Sequence, residues 1–135
     1  MPLQNYDRMI HSINIDVQWS DMDAYQHVNN RHYLLWLETA RIDLASKYFP
    51  DECHFIIARV AIDYHFPVVF PDTVCCQSHV SKLGNSSCEL TTTITSKTHE
   101  KLCATAQVVI VNYDYEALAS TGWSDSERTA LKKFM

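Results

Sequence analysis

The sequence predicts an α+β fold in which one long apolar helix lies across an antiparallel sheet. Three observations predict it: an alternating apolar and polar segment near the start, one helical stripe after it, and four strand-like segments behind that. The chain has 135 residues, 47% of them apolar, which suits one folded domain spanning 1–135.

The first element is a strand. Ile13, Ile15, Val17 and Trp19 alternate with Asn14, Asp16 and Gln18, the period of two that a half-buried sheet face requires. All four apolar side chains are therefore expected inside. Asp21 through Asn30 is a polar, turn-forming stretch, and an amphipathic helix follows it to about Tyr48. Tyr33, Trp36, Leu37, Ala40 and Leu44 share one face, while Leu34 and Leu35 widen the stripe. That width predicts a helix enclosed on more than one side. Pro50 is expected to stop it, because its ring disfavours helical geometry at Phe49.

Four more strands can be read after Pro50. Phe55 to Tyr64 is rich in Ile and Val and ends before Pro67 and Pro71. Thr73 to Leu83 alternates and ends at a Gly84-Asn85 turn, and Ser87 to Ser96 has the Thr-rich composition of a strand. Leu102 to Tyr113 follows, its Val108 to Val111 run suggesting cover on both faces. Short connections make these strands antiparallel. Ser124-Asp125-Ser126-Glu127 spells a capping box for a short final helix.

Composition narrows the partners. The net charge is −5 and no Lys or Arg run offsets it, so the basic face of a nucleic-acid binder is not expected. Met1 to Asp7 lacks the basic-then-apolar order of an export signal, and the longest apolar runs are too short to span a bilayer. Five cysteines without a C-x-x-C pair read as small buried or half-buried thiols of a reducing compartment, hence a cytoplasmic protein. Cys75 and Cys76, adjacent in a strand, should face opposite ways.

The chemistry is concentrated between Trp19 and Tyr33. This segment joins a strand to the start of the apolar helix, where backbone N–H groups lack internal partners and the macrodipole adds positive charge. Such a terminus can receive an oxyanion, and a carboxylate in the preceding loop can serve as base or nucleophile. Asn29 and Asn30 both suit a cap, although Asp and Asn also favour ordinary loops. Asp21, Asp23, His27 and His32 fit no standard zinc spacing, so no metal is expected.

The string Asp21-x-Asp23-x-x-x-His27-Val28-Asn29-Asn30, then Tyr33 and Glu38-x-x-Arg41, strongly resembles the 4-hydroxybenzoyl-CoA thioesterase-like branch of hotdog proteins. Its look is closest to bacterial members that hydrolyse acyl-CoA thioesters. The match is strongest from Ile13 to Leu44 and continues to Tyr113 through Ile62-x-Tyr64-x-x-Pro67, Asp72-x-Val74 and Leu83-Gly84-x-Ser86-Ser87. The resemblance implies a hotdog fold, a curved antiparallel sheet wrapped around the central helix, with active sites at a dimer interface of a homodimer or homotetramer. It implies an acyl-CoA substrate and no cofactor beyond the CoA that substrate carries.

By the same resemblance, Asp23 occupies the position of the catalytic carboxylate and the Asn30 amide meets the thioester carbonyl. His27 orients the loop or contacts substrate. Tyr25, Val28, Asn29, Tyr33 and Tyr64 fall to the substrate pocket, although aromatic residues at this spacing also build cores. Ser86 and Ser87, with Lys82, lie at the turn near which relatives approach the CoA phosphates; an ordinary hairpin turn is the alternative. Arg59, a basic residue within a strand, is expected to face a partner subunit. Gln26 stands where many relatives carry Gly, and Asn30 where another subgroup places a histidine. Two other functions fit the fold: a hydratase or dehydratase of acyl thioesters, and a non-catalytic acyl-CoA-binding domain.

Overall fold

A computed structural model describes residues 8–49 and 54–135. The chain forms β1 (His11–Asp16), a 3-10 turn (Trp19–Asp21), α1 (Asn30–Tyr48), β2 (Phe55–Tyr64), β3 (Thr73–Leu83), β4 (Ser87–Ser96), β5 (Lys101–Asp114), β6 (Ala119–Ser120) and α2 (Asp125–Lys132). The five longer strands form one sheet in the order β1-β3-β4-β5-β2, every pair antiparallel, and β6 adds a two-residue pairing to the end of β5. This is the expected hotdog arrangement.

The sheet's inner face is read directly from its alternation. Val74, Cys76 and Val80 of β3, Leu90 and Ile94 of β4, and Ala104, Ala106, Val108 and Ile110 of β5 are buried. They meet the predicted stripe of α1, where Tyr33, Trp36, Leu37, Ala40 and Leu44 are all buried. The helix backbone comes closest to β1 and β3. Cys75 is half-buried and Cys76 buried, on opposite faces as expected, and Cys75, Cys76, Cys88 and Cys103 are free. Cys53, Pro50 and the segment Met1 to Asp7 lie outside the described residues.

Three expectations need correction. β1 ends at Asp16, and Trp19 is 73% exposed. The reason is local: the Asp21 carboxylate accepts the Gln18 N–H at 2.8 Å, which bends the chain into the 3-10 turn and carries Trp19 outward. The helix is not enclosed on more than one side by its own chain, because Leu34, Leu35 and Ile42 are exposed. Val109 and Val111 are only half-buried, so β5 is covered on one face rather than two. The sequence also contained no signal for β6.

The two ends of α1 are held differently. Near its C-terminus, Tyr48 packs edge-on against Phe134 (4.9 Å), and Phe49 meets Phe55 (5.2 Å). Trp123, itself 5.7 Å from Phe55, donates its indole N–H to the Ser87 carbonyl. The capping box at Ser124 forms as its residues predict, with Glu127 N–H on Ser124 Oγ at 3.1 Å and Glu127 Oε1 on Ser124 N–H at 2.8 Å. It seats α2 so that Leu131 and Phe134 enter the core. Near the N-terminus of α1, the fold is built from hydrogen-bonded loops.

Candidate active site

The loop before α1 is a tight hairpin. Met22 and Val28 form an isolated antiparallel bridge, Asp23 N–H donates to the His27 carbonyl, and Gln26 N–H donates to the Asp23 carbonyl, both at 3.0 Å. Turning in so few residues requires a left-handed residue, and Gln26 supplies it with φ 64°. This accounts for the glycine that the resemblance led one to expect there. The hairpin is anchored to the sheet side by Val28 N–H on the Val68 carbonyl at 2.9 Å.

Asp23 is held from two directions. Its Oδ1 accepts the Tyr25 N–H at 2.9 Å, and its Oδ2 accepts from Asn29 Nδ2 at 3.3 Å. Asn29 is also the helix cap, its Oδ1 accepting the Arg31 N–H at 3.0 Å. One amide side chain therefore ties the carboxylate to the first turn of α1. Asn30 is the first helical residue, and no described group accepts its N–H. A carboxylate with a free lone pair is thus tied through Asn29 to a helix N-terminus whose first amide is unpaired among the described residues, and such groups can serve as a proton acceptor and stabilise an oxyanion.

A cleft of about 410 Å³ opens beside this terminus. His27, Asn30, Tyr64 and His65 give its polar lining, and Val28, Tyr33, Phe66 and Pro67 its apolar walls. The Tyr64 hydroxyl donates to Asn30 Oδ1, so the edge strand β2 reaches across to the helix start. Tyr33 lies edge-on to Tyr64 at 5.1 Å. Burial pushes the Tyr33 phenol up to about 12, against a backbone hydrogen bond from Val68 that lowers it, and burial also raises Tyr64. Both rings therefore remain neutral donors at physiological pH.

The cleft gathers His27, Val28, Asn30, Tyr33 and Tyr64 among the residues expected from the sequence. Asp23 and Asn29 are not in the lining: Asp23 N–H bonds the carbonyl of the lining residue His27, and Asn29 lies between the lining residues Val28 and Asn30 in the chain. Tyr25 is 84% exposed and is not part of the lining. Ser86 and Ser87 sit at the other end of the sheet. Ser87 pairs with Val111 whereas Tyr64 pairs with Ala104, a separation of roughly 23 Å along β5. A single chain does not bring this turn to the cleft. His65 and Phe66 are lining residues that sequence reading missed. Their signal was available in the Tyr64-x-x-Pro67 spacing, whose intervening positions were passed over.

Comparison with known proteins agrees with this geometry. Residues 17–131 match the family model described as the thioesterase-like superfamily. The long-chain acyl-CoA thioesterase FadM of Escherichia coli is 31% identical over 117 residues, covering 80% of this chain and 89% of the relative. A thioesterase of Thermus thermophilus, solved with coenzyme A and Zn, superposes with a TM-score of 0.81 at 27% identity, covering 90% of this chain and 96% of that one. The PA5185 protein of Pseudomonas aeruginosa superposes with a TM-score of 0.85 at 25% identity, covering 96% and 93%. The sheet and its helix are thus the fold of the hotdog thioesterases, and the chain belongs to the thioesterase-like superfamily.

Proposed function

We propose that this protein hydrolyses acyl-CoA thioesters to a free carboxylic acid and CoA thiol, with Asp23 as the catalytic carboxylate. The observation that carries the reading is the Asp23 carboxylate linked through Asn29 to a helix terminus whose first amide has no acceptor among the described residues. The named activity of the Escherichia coli relative and the coenzyme A in the Thermus structure support the acyl-CoA substrate.

The thioester carbonyl oxygen lies against the Asn30 N–H, which stabilises the charge that develops on it. Asp23 takes a proton from water as the water oxygen bonds to the carbonyl carbon. The tetrahedral intermediate then collapses, the C–S bond breaks, and the CoA thiolate leaves and is protonated. The alternative route has Asp23 attack the carbonyl itself, forming a mixed anhydride that water opens. Both routes need the same carboxylate and neither uses a metal or redox cofactor. His27, a cleft wall residue, contacts substrate, and the Tyr64 hydroxyl fixes the Asn30 side chain at the cleft mouth.

The functional unit in this reading is a homo-oligomer. β2 is a ten-residue edge strand that exposes Ile56, Ile57 and Val60 together with the charges of Arg59 and Asp63, and α1 exposes Leu34, Leu35 and Ile42. An unpaired edge and exposed apolar side chains call for cover, and a second copy of the chain supplies it. Sedimentation should give a multiple of 15.6 kDa, and a monomer at micromolar concentration would refute this part. In this reading the Ser86-Ser87 turn, remote from the cleft in its own chain, serves a partner's site. The compartment is the cytoplasm, supported by four free cysteines, with Cys76 and Cys88 pushed up to about 12 by burial and so inert to oxidation at neutral pH. Among the described residues no helix is long and apolar enough to cross a membrane.

The decisive experiment follows thiol release from acetyl- to palmitoyl-CoA and benzoyl-CoA with wild type and Asp23→Asn. Removal of a general base or nucleophile should lower kcat by about 100-fold or more. Full turnover by the pure Asp23→Asn protein would end the assignment of Asp23. Silence of the wild type with acyl-CoA still bound would leave a binding module.

A further inference from the structure

Behind the catalytic loop, outside the cleft, lies a second carboxylate that the mechanism above does not use. Asp21 is 8% exposed. Its Oδ2 accepts the Gln18 N–H at 2.8 Å, and its backbone carbonyl accepts the Asn29 N–H at 3.0 Å. Its Oδ1 lies 3.3 Å from His32 Nδ1, and both side chains of this pair are mostly buried. His32 is the third residue of α1. We propose that Asp21 and His32 are positioning residues, a clasp that sets the Asp23 carboxylate against the free amide of Asn30.

The topology gives the clasp its meaning. Asp21 lies two residues before Asp23, and His32 two residues after Asn30. Asn29 closes the circuit from the other side by bonding both Asp23 and the Arg31 N–H. Carboxylate, cap and first helical turn thus form one hydrogen-bonded ring, and neither clasp residue lines the cleft. Asp21 also bends the chain at its own turn, which a capping role alone would explain. His32 adds nothing to that bend; its polar contact with Asp21 instead sets the helix start relative to the loop.

The partners also determine the state of the imidazole. Arg31 Nε–H donates to His32 Nε2 at 3.4 Å, so Nε2 must present a lone pair. The neutral ring therefore carries its proton on Nδ1, the nitrogen that faces Asp21 Oδ1. Geometry held this way matters to an amide that engages its target only in the transition state. Its misplacement lowers kcat rather than raising KM.

This inference rests on the thioesterase reading, and its test separates the two. In the thiol-release assay, His32→Leu should lose about 10- to 100-fold in kcat. Its KM should stay within about threefold, since ground-state binding is untouched. His32→Asn places an amide nitrogen where Nδ1 stood and should recover most of kcat. His32→Gln places one at the Nε2 position, and should behave like His32→Leu if the leucine variant does not fold. Equal kcat in all four proteins, or equal loss in the Asn and Leu variants, overturns the clasp. The wild-type ring is read independently by long-range proton–nitrogen correlation of the imidazole. An Nδ1–H tautomer is expected, and an Nε2–H tautomer overturns the clasp whether or not the wild type releases thiol. A wild type that shows the Nδ1–H clasp but no turnover refutes the thioesterase reading alone.

Discussion

The two ends of α1 solve the same problem, holding a helix to a sheet, with opposite chemistry. The C-terminal end is closed by rings: Tyr48, Phe49, Phe55, Trp123 and Phe134 pack together with Leu131. The N-terminal end is assembled from hydrogen bonds of Asp21, Asp23, Asn29 and Asp72 to backbone amides and hydroxyls. Apolar burial is non-directional and gives cohesion. Hydrogen bonds contribute less net stability each but fix direction. A catalytic carboxylate needs direction, so the end with less apolar packing is the end that can do chemistry.

The largest expected effect lies at the closed end. Phe134 is 1% exposed and edge-on to Tyr48, so Phe134→Ala should cost about 3–5 kcal/mol of unfolding free energy. Its kcat should stay unchanged below the new melting midpoint. Urea titration and thiol release measured side by side would break the comparison if activity fell while stability held.

Asp72 gives the intermediate effect and shows how the polar end responds to acid. Its carboxylate takes Thr73 N–H at 2.7 Å, Thr98 N–H at 3.1 Å and the Ser96 hydroxyl, joining the start of β3 to the β4–β5 hairpin. Burial pushes its pKa up, but these bonds together outweigh burial and hold it below the ordinary 3.8. Asp72→Asn should cost about 1–3 kcal/mol at neutral pH, because donors aimed at a carboxylate lose one acceptor. A depressed folded pKa means that the unfolded chain binds more protons. The carboxylate's contribution is therefore complete above the unfolded value and disappears as pH falls through the folded one. The gap between wild type and variant should narrow below about pH 4. A constant gap across that range would assign the loss to shape rather than charge.

The smallest effect tests the hairpin. Gln26→Gly relieves a left-handed side chain and should stabilise the protein by less than about 1 kcal/mol, since the unfolded chain gains freedom too. Thermal midpoints decide it, with turnover expected to be unchanged. A destabilised variant would mean that the Gln26 side chain makes contacts worth more than the strain.

Much of this was legible in the residues. β2, β3 and β4 begin and end where alternation meets Pro, Gly or a short turn, and α1 buries the five residues of its stripe. Local patterns specify such elements because each residue's own period decides its face. Trp19 defeated the pattern because alternation continued by chance past the point where Asp21 captures the Gln18 amide. The exposure of Leu34 and Leu35 was hidden for another reason: apolar side chains look alike whether their cover comes from the same chain or from another one. At the site, Asp23 and Asn30 were visible as a motif. The bridge made by Asn29, the clasp of Asp21 with His32, and the remoteness of Ser86 and Ser87 depend on which strand neighbours which, and that order is written nowhere in a local window.

The placement of the tryptophans divides the molecule optically. Trp36 is buried in the helix stripe, Trp123 in the ring cluster, and Trp19 stands in solvent two residues before Asp21. Red-shifted emission, open to a water-borne quencher, should come mainly from the loop that leads to Asp23. Emission from the other two reports on the core. Ligand capture and unfolding can then be followed separately in one cuvette, without a label.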